Sequence, residues 1–177
     1  MSKSVWFGCL AALALSAGAA SAEPAAPSGI GGYVTGLIDK ACLPLIRGQD
    51  AKAVTAAAGL KRVRTDYILD PPGVQKIVLT APTVANPTIC TLELTYEVDQ
   101  TKSVVDTLTA WAASQDPPIP PLGTGYTPAP GLTGWSWSVD TGTVQQGLVF
   151  TAQRAADGRP IGKDYDVGTV LFHHKGP

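Results

Sequence analysis

Few residues of this 177-residue chain have the type and spacing to do chemistry, and the spacing narrows what each can do. Cys9 sits in an apolar N-terminal run, which leaves Cys42 and Cys90 for the folded part. Neither belongs to a CxxC pair or has a histidine near it in sequence, so a structural bridge is expected rather than a redox or metal centre. Two inert free thiols are the alternative. The only histidines, His173 and His174, are adjacent; on a strand they point to opposite faces and cannot share a metal, and an exposed C-terminal pair is expected. Asp164 and Asp166 share a strand-edge face but supply too few oxygens for calcium. Gly134-Trp135-Ser136-Trp137-Ser138 falls short of the G-x-S-x-G elbow and lies in a strand pattern instead of at a strand-to-helix turn. No glycine-rich phosphate loop is present, and no cofactor or metal is expected.

Two further groups carry the functional alternatives. Val139-Asp140-Thr141-Gly142-Thr143 resembles the hydrophobic-Asp-Thr-Gly signature of aspartic peptidases, in which two aspartates share a proton. One copy is present, so Asp140 would need a homodimer, and the 35 residues after Gly142 read as a hairpin without a flap. Asp-x-Gly is equally the chemistry of a turn between strands. Tyr126, with Trp135 and Trp137 just beyond it, could line a groove for a protein, peptide or glycan partner. Alternating aromatics on a strand usually belong to the core, so Trp135 and Trp137 are expected against a helix and Trp111.

The frame that positions these groups starts with a leader. Lys3, an apolar run from Val5 to Leu15 and a small-residue end at Ala20-Ser21-Ala22 form a secretory signal peptide, residues 1–22, with cleavage before Glu23. The run falls short of the roughly 18 apolar residues of a membrane span. The remaining 155 residues suit one domain and carry 12 basic and 14 acidic side chains, a formal charge of −2. Such balance argues against a nucleic-acid partner and offers no polybasic tract for lipid, so no stable membrane insertion is expected.

Residues 23–32 form a Pro/Ala/Gly segment expected to be flexible, and residues 33–177 a single domain. Tyr33, Val34, Leu37, Ile38, Ala41, Cys42 and Leu45 recur at helical spacing, with Pro44 limiting how far the helix runs unbent. Asp50 is a natural N-cap for a helix over Ala51–Ala58, closed by Gly59 at C′. Lys61, Arg62 and Arg64 then read as a solvated cap on that helix end. Val74–Thr80 and Thr88–Val98 form an antiparallel hairpin; in the second strand Cys90, Leu92, Leu94, Tyr96 and Val98 share a dry face. A third helix spans Lys102–Ser114, capped by Asp99 or Thr101. The Pro-rich stretch 116–134 is a long loop, and three strands follow around Trp135–Val139, Leu148–Ala152 and Val167–His174. The order predicts an α+β fold: one domain, an antiparallel sheet of about five strands, and two or three helices packed on one face.

Ala41-Cys42-Leu43 on a helix, the Ala-rich helix ending Gly59-Leu60, and Ile89-Cys90-Thr91 in a strand before an amphipathic helix resemble a known group. It comprises small secreted proteins of unknown function from Gram-negative alphaproteobacteria, with a paired-cysteine α+β domain. The resemblance covers residues 33–112, implies export and a disulfide, and brings no catalytic residues. The functional expectation is a periplasmic or secreted protein with a non-catalytic binding or cell-envelope role. The alternatives are an enzyme inhibitor that presents the Pro-rich loop 117–131, and the Asp140 dimeric peptidase.

Overall fold

A computed structural model describes residues 29–73, 75–123, 128–155 and 157–176. The expected leader, 1–22, and residues 23–28 lie outside the described residues. Helix α1 (Gly29–Leu37) begins four residues before the apolar stripe that starts at Tyr33, because Ile30 and Gly31 are buried. A Cβ at Gly31 would sit 2.8 Å from Thr107, so close packing outweighs the poor helix propensity of a glycine-rich start.

The chain stays helical through a π-helical segment, Ile38–Cys42, into α2 (Leu43–Ile46). Pro44 lacks an N–H and its ring would clash with the carbonyl four residues back. The widened turn, in which Leu43 N–H bonds the carbonyl of Ile38, absorbs that conflict, so the helix continues past the proline instead of stopping. Helix α3 (Ala51–Ala57) has the expected ends. Asp50 accepts a hydrogen bond from Ala53 N at 2.8 Å. Gly59, at φ +75°, closes a Schellman turn in which Gly59 N bonds Ala56 O and Leu60 N bonds Thr55 O.

One antiparallel sheet holds seven strands: β1 (Lys61–Val63), β2 (Asp66–Leu69), β3 (Lys76–Thr80), β4 (Ile89–Glu97), β5 (Leu132–Asp140), β6 (Gln145–Gln153) and β7 (Tyr165–Lys175). Their spatial order is β1-β2-β3-β4-β7-β6-β5, so β4, the strand with the cleanest alternation, lies at the centre. The count exceeds the expected five by two: Asp66–Leu69 is a strand, and Lys61 and Arg62 lie in an exposed edge strand paired with it, not on a helix end, with Arg64 in the left-handed turn between them at φ 58°. A three-residue strand with no buried side chain has no periodicity to read; its pairing with β2 makes it a strand.

Helix α4 (Thr101–Ala113) follows β4 and packs against α1. Neither Asp99 nor Thr101 caps it: Gln100 holds the N-cap position, Asp99 is left-handed at φ 68°, and the Thr101 hydroxyl is used elsewhere. The helices cover one sheet face, giving a single α+β domain. On that face the register aligns side chains in rows across strands. Leu79, Leu92, Val170, Phe150 and Trp135 make one row; Cys90, Phe172, Leu148 and Trp137 make the next. Gly168 lies in a third row opposite Leu94 and Ala152, where a Cβ would meet the Phe150 ring at 2.7 Å. The opposite face carries Thr91, Glu93, Thr95, Thr151 and Thr169 and is wet.

Candidate functional site

Cys42, in the π-helical segment, and Cys90, in β4, form a disulfide with Cα atoms 5.4 Å apart and no exposed surface on either residue. The bond ties the first helix to the central strand through the core. It is the chemistry of an oxidising compartment. No helix among the described residues is long and apolar enough to cross a membrane.

β5 brings Trp135 and Trp137 to the helix-covered face, as the strand alternation requires. Trp137 is 2% exposed and lies opposite Leu148; Trp135 is half-buried and stacks on Phe150, with centroids 5.5 Å apart and planes 18° apart. Trp111 is not their neighbour in the aromatic packing; it meets Phe172 edge-on at 5.9 Å. Tyr126 falls in 124–127, outside the described residues.

The start of the Pro-rich stretch is bound to the fold. Ile119 is 1% exposed and its N–H bonds Ala112 O. Beyond it the chain runs along β5 as an edge cover: Leu122 N donates to Ser136 O at 2.8 Å, and Ser138 N donates to Pro120 O at 3.0 Å. Periodicity could not show this, because prolines remove donors and only isolated main-chain bonds form.

Where this cover, α4 and β5 meet, a cavity of about 230 Å³ opens. Val105 and Thr109 line it from α4, Pro121 and Gly123 from the loop, and the 134–137 stretch from β5. Two of the lining residues hold buried polar atoms with no partner, Ser136 Oγ and Trp137 Nε1. A buried donor left unpaired costs about 1–3 kcal/mol, so such atoms are rare. None of the lining side chains among the described residues is ionisable.

Asp140 ends β5 as a turn residue. Its Oδ1 accepts from Gly142 N at 2.8 Å and its Oδ2 from Gln145 Nε2 at 2.8 Å. These bonds, the Gly142 amide first, hold its carboxyl below the usual range of about 3.8.

The other titratable groups are placed differently from expectation. His173 and His174 do face opposite ways, but the pair is not exposed: His174 is 3% exposed and Gln146 Nε2 lies 3.0 Å from its Nδ1. Asp164 is exposed while Asp166 is buried, so the two do not form a shared cation face. Asp166 instead belongs to a polar network with Arg154, Thr101 and Tyr96 that sequence reasoning missed. A signal was available, since Asp166, Gly168, Val170, Phe172 and His174 share one phase of the β7 alternation. Burial raises the Tyr96 hydroxyl above its ordinary range, against the lowering effect of its bond to Thr101. Among the described residues no three His, Cys, Asp or Glu side chains cluster to hold a metal.

No family model, curated protein or solved structure matches this chain.

Proposed function

We propose that this is an exported protein of the Gram-negative periplasm or cell envelope that acts by binding rather than catalysis, through the cavity between Pro121, α4 and β5. The observation that carries the reading is the recess of about 230 Å³ itself, lined by Val105 and Thr109 of α4, Pro121 and the 134–137 stretch of β5. A largely apolar recess with a few polar groups is the usual form of a ligand site. The leader sequence and the Cys42–Cys90 bond support export.

The test uses Thr109→Phe. Thr109 is exposed on α4 and lines the cavity, so a larger ring there narrows it without entering the core. Retention of the wild-type protein on isolated cell envelopes, with loss of retention in Thr109→Phe at unchanged melting temperature, is the expected result. Equal retention of both proteins would remove the cavity from the function. Intact mass of the periplasmic protein tests export separately, with a chain beginning at Glu23 expected.

A secreted inhibitor presenting residues 117–131 is the second reading. The main-chain bonds that fix Pro120 and Leu122 on β5 favour it, since a preorganised loop loses little entropy on binding. Inhibition of a periplasmic hydrolase that survives Thr109→Phe but not substitution of exposed loop residues such as Leu122 would select it.

A further inference from the structure

We infer that the recess between α3 and the β1–β2 hairpin holds a phosphate group between Lys52 and Arg62. It shares no lining residue with the recess at Pro121, α4 and β5, so it stands apart from the binding reading above. Residues 47–64 carry 5 of the chain's 13 Lys and Arg residues and only 1 of its 14 acidic ones, although the whole chain is close to neutral. Strand register then concentrates that excess. Arg62 lies opposite Tyr67, and Tyr67 opposite Leu79, so the inward row that runs through Leu79, Leu92 and Val170 ends at the sheet edge in a guanidinium. Lys52 reaches the same place from α3. The two cations border a recess of about 130 Å³ that buried Leu60, buried Thr55 and half-buried Tyr67 also line.

No carboxylate answers these charges: among the described residues neither Lys52 nor Arg62 belongs to a salt bridge. Asp66, beside Tyr67 on β2, sits on the opposite phase of the strand and accepts from Thr65 Oγ1. Arg62 commits only Nε, to Arg64 O at 3.2 Å, which leaves both Nη groups. Like charges around one small opening repel each other, and an anion between them turns that repulsion into attraction. A carboxylate is satisfied by one guanidinium fork, whereas a phosphate carries more charge and more acceptor oxygens and can engage the fork and the ammonium together. The volume lies below the roughly 300 Å³ at which ligand pockets begin, so the phosphate enters and whatever bears it stays outside. Free phosphate and the headgroup of an anionic lipid both offer that chemistry.

The full chain is titrated with inorganic phosphate and with a polyglutamate peptide by calorimetry, and sedimented with phosphatidylcholine vesicles with and without phosphatidylglycerol. Phosphatidylcholine alone is the blank, because its phosphate is already paired with its own choline. Binding of phosphate, or of the phosphatidylglycerol vesicles, is expected to fall about tenfold or more in Lys52→Gln/Arg62→Gln, the size of lost charge-assisted hydrogen bonds. It should fall far less in Lys102→Gln/Lys163→Gln, which removes the same charge from exposed positions elsewhere. All four side chains are exposed, so both double variants should melt near wild type. A response to phosphate alone names a soluble source, and a response to the anionic vesicles alone names a lipid surface; either supports the site. Preference for polyglutamate overturns the phosphate assignment in favour of an acidic protein partner. Equal losses in the two double variants, or no binding of any probe, overturn the site itself, and neither outcome touches the Thr109→Phe test of the other recess.

Discussion

Arg154 Nη1 stands 2.9 Å from Asp166 Oδ1, joining the residue after β6 to a carboxylate that is 1% exposed. Thr101 Oγ1 closes the arrangement, lying 3.2 Å from Asp166 Oδ2, 3.0 Å from Arg154 Nη2 and 3.1 Å from the Tyr96 hydroxyl. The two partners are unequal. Arg154 keeps 20% of its side-chain surface in solvent and can turn outward, whereas Asp166 cannot.

Arg154→Ala is therefore expected to cost about 3–5 kcal/mol, the range for stranding a buried charge. Asp166→Asn should cost clearly less, because the stranded guanidinium can reach water. Urea unfolding midpoints measure both, and equal losses would refute the asymmetry.

Gly168 and Gly147 make a matched pair. A Cβ at 168 meets Phe150 at 2.7 Å and the Thr151 carbonyl at 2.9 Å, while one at 147 meets nothing closer than 3.9 Å. Gly168→Ala should lose about 1–3 kcal/mol by overpacking. Gly147→Ala should stay within roughly 0.5 kcal/mol of wild type. Thermal unfolding of both variants decides the point, and a neutral Gly168→Ala would mean that Phe150 can move aside.

Asp39 gives a pH dependence. Partial burial raises its carboxyl above 3.8, with the bond from Trp111 Nε1 at 3.1 Å opposing the shift. A carboxyl raised on folding contributes stability that is complete below the unfolded value and is lost as pH rises through the folded one. Asp39→Asn removes that loss while keeping an acceptor for Trp111. The melting temperature of the variant should match wild type near pH 3 and exceed it increasingly toward about pH 7. A gap that does not change with pH would contradict the shift.

Replacing Cys42 and Cys90 by alanine opens a loop with a sequence separation of 48 and is expected to cost about 4 kcal/mol in the chain-entropy account. Reductant should produce the same fall in the wild-type urea midpoint and none in the double variant.

The parts of this fold that were legible in the sequence are those where local chemistry and burial agree. Asp50 and Gly59 mark the ends of α3 because capping is a local interaction. Cys90 to Tyr96 mark the central strand because one side is dry along its whole length. β1 was invisible because partner strands, not its own side chains, make it a strand. The start of α1 was hidden by glycines whose value lies in contact with Thr107. At the candidate site, Trp135 and Trp137 were visible as residues, but the cavity beside them was not, since it depends on Pro120–Leu122 folding back along β5. Asp166 and His174 are buried because they fall on the inward phase of β7, which outweighs their polarity and their place near the end of the chain.

The position of β7 between β4 and β6 also dictates an order of assembly. A ribosome or a translocation channel releases the chain N-terminus first, so Cys42 and Cys90 emerge long before the 11 residues of β7. The first helix can be bonded to β4 while the sheet is still in two pieces, β1 to β4 on one side and the β5–β6 hairpin on the other. Until Tyr165–Lys175 arrives, each piece presents a nine-residue unpaired strand of the kind that recruits other chains. The last strand is the zip that closes both, and a chain stalled before it carries two open seams.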